Sequence, residues 1–346
     1  MLYVTTRDKS NVATSYPTLT SDTAACGGLY IPFQPVSLNY DEIRAMKDKT
    51  FCQSVADVLN MFFSSKLDAW DVACCIGTNP MIIVPLSHKT TVVELWNNPE
   101  WCLSRFVRNL NCRLLGNAAS VELHNWADIT IRIAILTGII TRVIGSEVLE
   151  HGKTIDISLA AGDFAMPMAA WYARNMGLPI GNIIVACNDN SEVWELLHHG
   201  EGNFGATVQT SATPKCDVAI PCNIERLVYE TLGEEGIPAY VNALSSKGIY
   251  NLTEEQLERF AKGMFGAVVS QSRMESVIRN VYSTKNYVLS PYSALAYGAL
   301  QDYRATKGES GHALILAEEG PLSSAALVSE TIGITKEALR NQLGAV

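Results

Sequence analysis

Concentrated charge of one sign is scarce in this sequence. Only 18% of the 346 residues are charged, the formal net charge is -9, and no basic run occurs. An acidic chain of this kind is a poor candidate for binding nucleic acid or anionic membranes. Internal repeats and Pro/Gly/Ser linkers are also absent, and 48% hydrophobic content is typical of a globular protein. The composition therefore excludes disordered and fibrous proteins.

Long apolar runs are lacking as well. The most apolar stretch, residues 129–144, is interrupted by Arg132 and Arg142 and is shorter than the roughly 20 residues that span a bilayer. We expect a buried helix there. The N-terminus shows no signal-peptide pattern. The nine cysteines include no Cys-x-x-Cys spacing, which predicts reduced thiols in a cytoplasmic protein.

Sequence motifs that would identify a catalytic or metal site are missing too. We find no nucleophile elbow, Walker loop or metal-ligand spacing. The string Gly202-Asn203-Phe204-Gly205 precedes no helical pattern, so we interpret it as a surface turn. His198 and His199 are adjacent on a predicted helix and point about 100° apart, which is unsuitable for one metal ion.

The pattern that is present alternates between strand and helix. Apolar residues recur at helical spacing over residues 39–63, with a break near 48–50, and again over residues 101–115. Short apolar runs at 81–85 and 90–96 predict strands. The middle of the chain predicts a strand at 155–159, a turn at 160–164, a helix at 166–176, a strand at 183–187 and a helix at 191–198. This order indicates an α/β fold with a parallel sheet.

The turn Ala161-Gly162-Asp163-Phe164-Ala165 lies where parallel sheets place ligands, at a strand's carboxyl end before a helix. The pattern alone is weak, because Asp163 is simply a good N-cap residue, a role worth about 0.5–2 kcal/mol. From the residues themselves, the sequence predicts a cytoplasmic α/β protein and no particular chemistry.

Several segments, in the same order along the chain, resemble the threonine synthase family. They are Tyr3-Val4-Thr5-Thr6-Arg7, Gly27-Gly28-Leu29-Tyr30-Ile31-Pro32, Ala173-Arg174-Asn175-Met176-Gly177-Leu178-Pro179-Ile180, Ala186-Cys187-Asn188-Asp189-Asn190 and, most specifically, Asp217-Val218-Ala219-Ile220-Pro221-Cys222-Asn223-Ile224-Glu225-Arg226-Leu227. Members of this family are fold-type-II enzymes that use pyridoxal phosphate (PLP) to convert O-phosphohomoserine to threonine. The resemblance implies an N-terminal domain followed by a large parallel-sheet domain.

The resemblance also implies that the PLP-binding lysine has been replaced. The family segment Phe-His-Gly-Pro-Thr-x-x-Phe-Lys-Asp corresponds to residues 96–105, which place Asn97 in the same segment and Ser104 at the lysine position. A hydroxyl group cannot form an imine with PLP. We therefore expect no catalytic residue at Ser104 and no covalently bound cofactor.

Two other family motifs are altered. The phosphate cradle Ser/Thr-Gly-Asn-Phe-Gly-Asn corresponds to residues 161–166, so that Gly162 and Phe164 remain while Asp163 and Ala165 replace Asn and Gly. The resemblance makes Asp163 an internal substitute for the phosphate anion. Ser293 retains a hydroxyl group at the position where the family has a threonine that faces the pyridine nitrogen of PLP. Glu318 and Glu319 add negative charge near the C-terminus.

The family's small domain has no counterpart here, since residues 114–120 lead almost directly to residues 121–127. We therefore predict a threonine-synthase-like N-terminal domain over residues 1–86 and a large α/β domain over residues 87–346, with the small domain deleted near 116–121. The face that this domain would cover contains Trp96, Trp101, Cys102, Leu103 and Phe106. We expect it to be exposed and to mediate self-association or bind a protein partner.

These substitutions favour a PLP-free, non-catalytic binding or regulatory protein that binds no metal. Two alternatives remain open at this stage. One is residual threonine synthase activity, which would require PLP, and the other is a different, PLP-independent enzyme on the same scaffold.

Overall fold

The structure is a computed structural model that describes residues 1–76, 81–97, 101–116, 125–145, 152–308 and 311–344. The α-helices are α1 (Ser15–Thr20), α2 (Tyr40–Met46), α3 (Phe51–Phe63), α4 (Ala69–Ile76), α5 (Leu103–Leu114), α6 (Trp126–Gly145), α7 (Ala165–Asn175), α8 (Glu192–His199), α9 (Ile224–Leu232), α10 (Ile237–Ser246), α11 (Glu254–Phe260), α12 (Gln271–Lys285), α13 (Pro291–Lys307), α14 (Ala325–Ile332) and α15 (Lys336–Gln342). The strands are β1 (Tyr3–Thr5), β2 (Asp8–Ala13), β3 (Tyr30–Pro32), β4 (Ile82–Ser87), β5 (Thr90–Glu94), β6 (Trp96–Asn97), β7 (Trp101–Cys102), β8 (Ile155–Ala160), β9 (Ile180–Cys187), β10 (Glu201–Asn203), β11 (Ile249–Asn251), β12 (Met264–Val268) and β13 (Ala313–Ala317).

A six-stranded sheet forms the centre of the molecule, in the order β12-β9-β8-β13-β5-β4. The first five of these strands pair in parallel, and β4 pairs antiparallel with β5 at the edge. Strands β5 and β13 are buried along their whole length because helices cover both faces of the sheet, as is usual for parallel sheets. The predicted α/β fold with a parallel sheet is confirmed.

The N-terminal part contains a three-stranded antiparallel sheet, β2-β1-β3, followed by helices. It shares one hydrophobic core with the large sheet, because buried residues such as Phe62 pack in the same cluster as Trp126 of α6. The chain joins the large sheet at Ile82, where β4 begins. The large sheet thus begins slightly before the predicted domain boundary at residue 86.

Helix α6 is the buried helix that the apolar stretch 129–144 predicts, and its residues from Trp126 to Thr141 are all buried. It packs closely against α3. A Cβ atom at Gly138 would lie 2.6 Å from the ring of Phe51, so glycine at this position permits the close approach of the two helices. Within the described ranges, no helix is long and apolar enough to cross a membrane.

Residues 115–125 connect α5 to α6. The predicted deletion point, 116–121, lies almost entirely outside the described residues, of which only Gly116 is part.

The parallel strands end at a common edge of the sheet. Residues 161–163 follow β8 and residues 318–320 follow β13, and these two strands are neighbours. Because the carboxyl ends of adjacent parallel strands meet, this edge brings Asp163 and Glu318 into the same region.

Candidate functional site

The turn after β8 has the backbone geometry of a tight strand-to-helix connection. Gly162 has φ +49° and Phe164 has φ +63°, so both adopt the left-handed conformation, which is uncommon for a residue other than glycine. The Phe164 side chain is fully buried, which fixes its unusual backbone conformation, and Ala165 is equally buried at the start of α7. Gly162, Phe164 and Ala165 therefore belong to a rigid turn.

The N-cap residue of α7 is Phe164 and not Asp163, so the predicted position of the cap was wrong by one residue. The predicted interaction exists nevertheless. The Asp163 Oδ1 atom accepts a hydrogen bond of 3.0 Å from the backbone N–H of Ala165, reaching two residues forward. The carboxylate can do this because Phe164 adopts a left-handed conformation and turns the chain back toward it.

Arg132 of α6 provides the central positive charge at this edge. Its Nε atom donates to both carboxylate oxygens of Asp128, at 3.2 and 3.1 Å, and its Nη1 atom donates to Glu318 Oε2 at 3.1 Å. Burial acts to lower the pKa of Arg132, but the carboxylates of Asp128, Glu318 and Asp163 outweigh burial and raise it. Arg132 therefore stays protonated among these carboxylates.

A second ion pair joins the loop after β13 to the turn before α9. The Lys215 Nζ atom pairs with Glu319 Oε1, and the Lys215 backbone N–H donates to the Tyr292 hydroxyl at 3.3 Å. The Lys215 carbonyl oxygen lies 4.0 Å from where a Cβ atom on Gly162 would be. Lys215 thus lies directly beside the turn at Gly162.

Burial also affects Glu318. It raises the pKa of the Glu318 carboxyl, and Asp163 adds to that effect, whereas Arg132 and Lys215 act in the opposite direction. We define the charge network as Asp128, Arg132, Asp163, Lys215, Glu318 and Glu319. Sequence reasoning found the added charge of Glu318 and Glu319. It missed their convergence and the part played by Lys215, for which the sequence gives no signal.

The structure does not bring Ser104 into the charge network. Ser104 is exposed in the first turn of α5, and no described hydrogen bond joins it to Asp163 or Ser293. Ser293 is buried in the first turn of α13, with its hydroxyl 2.9 Å from the Ser290 hydroxyl. The backbone of Asn97 lies in β6, but its side chain is outside the described part of the structure.

The apolar residues around the start of α5 whose side chains are described do not form the exposed patch that we expected. Leu103 and Phe106 are each 1% exposed, because both point into the core of their own chain. Trp96 is half-buried, and the ring lies against Gly320, where a Cβ atom would approach it to 2.7 Å. Cys102 is half-buried, and the Trp101 side chain is outside the described residues.

Neither of two cavities on the described surface is lined by Ser104, Asp163 or Ser293. One, of about 340 Å³, lies beside the turn after β9 and is lined by Asp189, Asn190, Ser191, Glu192, Asn203, Ala206, Thr207, Val208, Gln209 and Ala219. The other, of about 390 Å³, lies between α3 and α4.

Comparison of the sequence with known proteins finds matches along most of the chain. A family profile described as threonine synthase N terminus matches residues 2–78. Threonine synthase from Pseudomonas aeruginosa is 27% identical over 157 residues, which are 44% of this chain and 33% of that protein. Human threonine synthase-like 1 is 22% identical over 211 residues, covering 60% of this chain and 28% of that protein. The matched stretches thus span a third or less of these relatives.

The fold gives a more extensive match. The structure of PLP-bound threonine synthase from Brucella melitensis superposes with a TM-score of 0.84 at 19% identity, covering 99% of this chain and 94% of that one. Yeast threonine synthase superposes with a TM-score of 0.86 at 15% identity, covering 100% and 94%. At these identities the superpositions establish the fold alone.

Proposed function

We propose that this chain, which belongs to the threonine synthase family, is a binding or regulatory protein that has lost PLP-dependent chemistry. The observation that carries this proposal is the charge network. At the sheet edge where the family resemblance places the cofactor phosphate, Arg132 is already paired with Asp128 and Glu318.

The residues at this edge do not fit PLP. A phosphate beside Gly162 would approach the carboxylates of Asp163 and Glu318, and two like charges about 4 Å apart repel by about 4 kcal/mol at an effective dielectric constant of about 20. The positive charge of Arg132 offsets part of this repulsion, but its Nε and Nη1 atoms are already bound to carboxylates. Favourable phosphate binding would require the network to be rearranged.

The amine that PLP requires is also missing from its family position. Ser104 is exposed and cannot form an imine. The backbone of Lys215 lies beside Gly162, but its ammonium group is paired with Glu319. We therefore expect Lys215 to hold the neighbouring loop in place and not to act as a replacement nucleophile.

Covalent trapping tests the proposal directly. The protein is incubated with PLP, reduced with borohydride, digested and analysed by peptide mass spectrometry, with a Glu319→Gln variant in parallel to free the Lys215 amine. We expect no stoichiometric pyridoxyl adduct on the wild-type protein. A stoichiometric adduct on Lys215 or on any other residue of this edge in the wild type would refute the proposal.

The Ser104→Lys variant provides a second test. It restores the amine at the family position and leaves the charge network and the short 115–125 connection unchanged. Because residues that act as one catalytic unit contribute non-additively, we expect this variant to form no threonine from O-phosphohomoserine. Threonine formation above that of a matched Ser104→Ala control would contradict our interpretation.

A further inference from the structure

Arg226 belongs to the most specific family segment, yet the proposed function assigns it no role. It lies in the first turn of α9 and is 0% exposed, which is rare for a charged side chain unless it is paired. Burial lowers the pKa of Arg226, but the guanidinium of arginine is too basic to deprotonate inside a protein. The molecule therefore contains a fully buried positive charge.

The hydrogen bonds of Arg226 go only to neutral acceptors. Its Nε atom donates to the carbonyl oxygen of Tyr30 at 3.1 Å, and its Nη1 atom donates to Asn223 Oδ1. Its guanidinium carbon lies 5.9 Å from the centre of the Trp126 ring, within range of a cation–π contact. The Nη2 atom is buried and has no hydrogen-bond partner.

Two of the nearby carboxylates, those of Glu225 and Asp128, are engaged elsewhere. Glu225 accepts hydrogen bonds from Arg7 at 2.9 and 2.7 Å and from the Thr6 hydroxyl at 2.5 Å. Asp128 is paired with Arg132. Within the described part of the chain, no ion pair includes Arg226. A buried charge without a counter-ion is strongly unfavourable, and its unsatisfied N–H group adds to the cost.

We propose that a small inorganic anion of the halide type, such as chloride, binds at Arg226 Nη2 and acts as the counter-ion of this buried charge. The site lies between α9, α6 and the N-terminal strand β3, whose Tyr30 carbonyl accepts the Nε hydrogen bond. The ligand class is monatomic and not a larger metabolite, because the Arg226 side chain is fully buried. The proposal is independent of whether PLP chemistry has been lost.

A water bridge to Asp22 is the alternative to an anion at Arg226. The Oδ1 atom of Asp22 is also buried without a partner, and Asp22 and Arg226 both influence the pKa of the Cys222 thiol. A water molecule that bridges Asp22 and Arg226 would satisfy both atoms and leave no place for an anion. The experiments must therefore distinguish an anion from a water bridge.

The first experiment measures thermal unfolding while chloride replaces gluconate at constant ionic strength. We expect the Tm of the wild-type protein to rise with chloride, because a ligand that binds only the folded state stabilises it by mass action. In Arg226→Met this rise should disappear. Arg174→Met is the matched control, because Arg174 likewise donates to backbone carbonyls, those of Gly263 and Lys262, and should retain the chloride response.

The second experiment uses only the wild-type protein, in case Arg226→Met does not fold. Crystals grown in bromide should show an anomalous peak within hydrogen-bonding distance of Arg226 Nη2. An ordered water between Asp22 and Arg226 in place of bromide, or a Tm that does not depend on chloride, would overturn the proposal.

Discussion

Asp163 places a negative charge at the turn after β8, and its carboxylate accepts a hydrogen bond from the backbone of its own chain. Asp163 Oδ1 accepts the N–H of Ala165 at the positive end of α7 and contributes to the field around Arg132. The sequence was sufficient to predict the helix-capping interaction, because N–H groups at the start of a helix need acceptors. It was not sufficient to predict Arg132 as a neighbour, because that contact depends on how α6 packs against the sheet.

We expect Asp163→Ala to lower the free energy of unfolding by about 1 kcal/mol, the usual effect of removing a helix-capping side chain. Asp163→Asn retains an acceptor for Ala165 and should be destabilised less. Urea denaturation followed by circular dichroism measures both variants. An unchanged midpoint for Asp163→Ala would show that the 3.0 Å hydrogen bond does not contribute to stability.

Replacement of Arg132 should have a larger effect. Arg132→Met leaves the carboxylates of Asp128 and Glu318 without their cation, and breaking a buried ion pair in this way typically costs about 3–5 kcal/mol. Arg142→Met is the matched control on the same helix, because Arg142 is exposed and should change stability by no more than about 0.5 kcal/mol. Equal losses of stability in the two variants would contradict the central role of the charge network.

At the level of strands and helices, local sequence patterns predicted the core of the sheet well. Strand β8, helix α7, strand β9 and helix α8 were all predicted, because buried parallel strands appear as short apolar runs between helical patterns. The two-residue strands β6 and β7 were not, because they depend on pairing across a turn and have no periodicity of their own. The charge network depends on similar long-range contacts.

Strand β5 ends in a buried carboxyl group that responds to pH. Glu94 is 6% exposed and accepts a hydrogen bond of 2.5 Å from the Tyr287 hydroxyl. Burial raises the pKa of Glu94, and the Tyr287 hydroxyl lowers it. The pKa of Glu94 is therefore higher in the folded protein than in the unfolded chain. The contribution of Glu94 to stability falls as the pH rises from its unfolded-state pKa to its folded-state pKa.

Tyr287→Phe removes the hydroxyl and should raise the pKa of Glu94 further. We expect a loss of about 1–3 kcal/mol at about pH 8, and a smaller loss at about pH 5, because the fraction of protonated Glu94 increases as pH falls. Tyr16→Phe, at an exposed residue, controls for the loss of a hydroxyl. A loss of stability that is the same at both pH values would argue against an ionised Glu94.

At the scale of the whole molecule, the association state is still a prediction. Burial of Leu103 and Phe106 removes two of the residues on which we based a partner surface, and Gly320 covers part of Trp96. If the chain self-associates as we predict, we expect a symmetric homodimer, the most common closed assembly. Sedimentation equilibrium over a wide concentration range tests it, and a monomer at every concentration would refute it.

The pairing of Arg7 with Glu225 has a consequence for the order of events during synthesis. The two residues are separated by 218 positions, yet Glu225 is the acceptor for both Thr6 and Arg7, which follow the first strand. A nascent chain that has not yet reached α9 lacks this acceptor, so its amino-terminal segment cannot complete its native contacts on the ribosome. Contacts this distant in sequence are slow to form. The segment at Thr6 and Arg7 therefore completes its native contacts only after α9 has been synthesised.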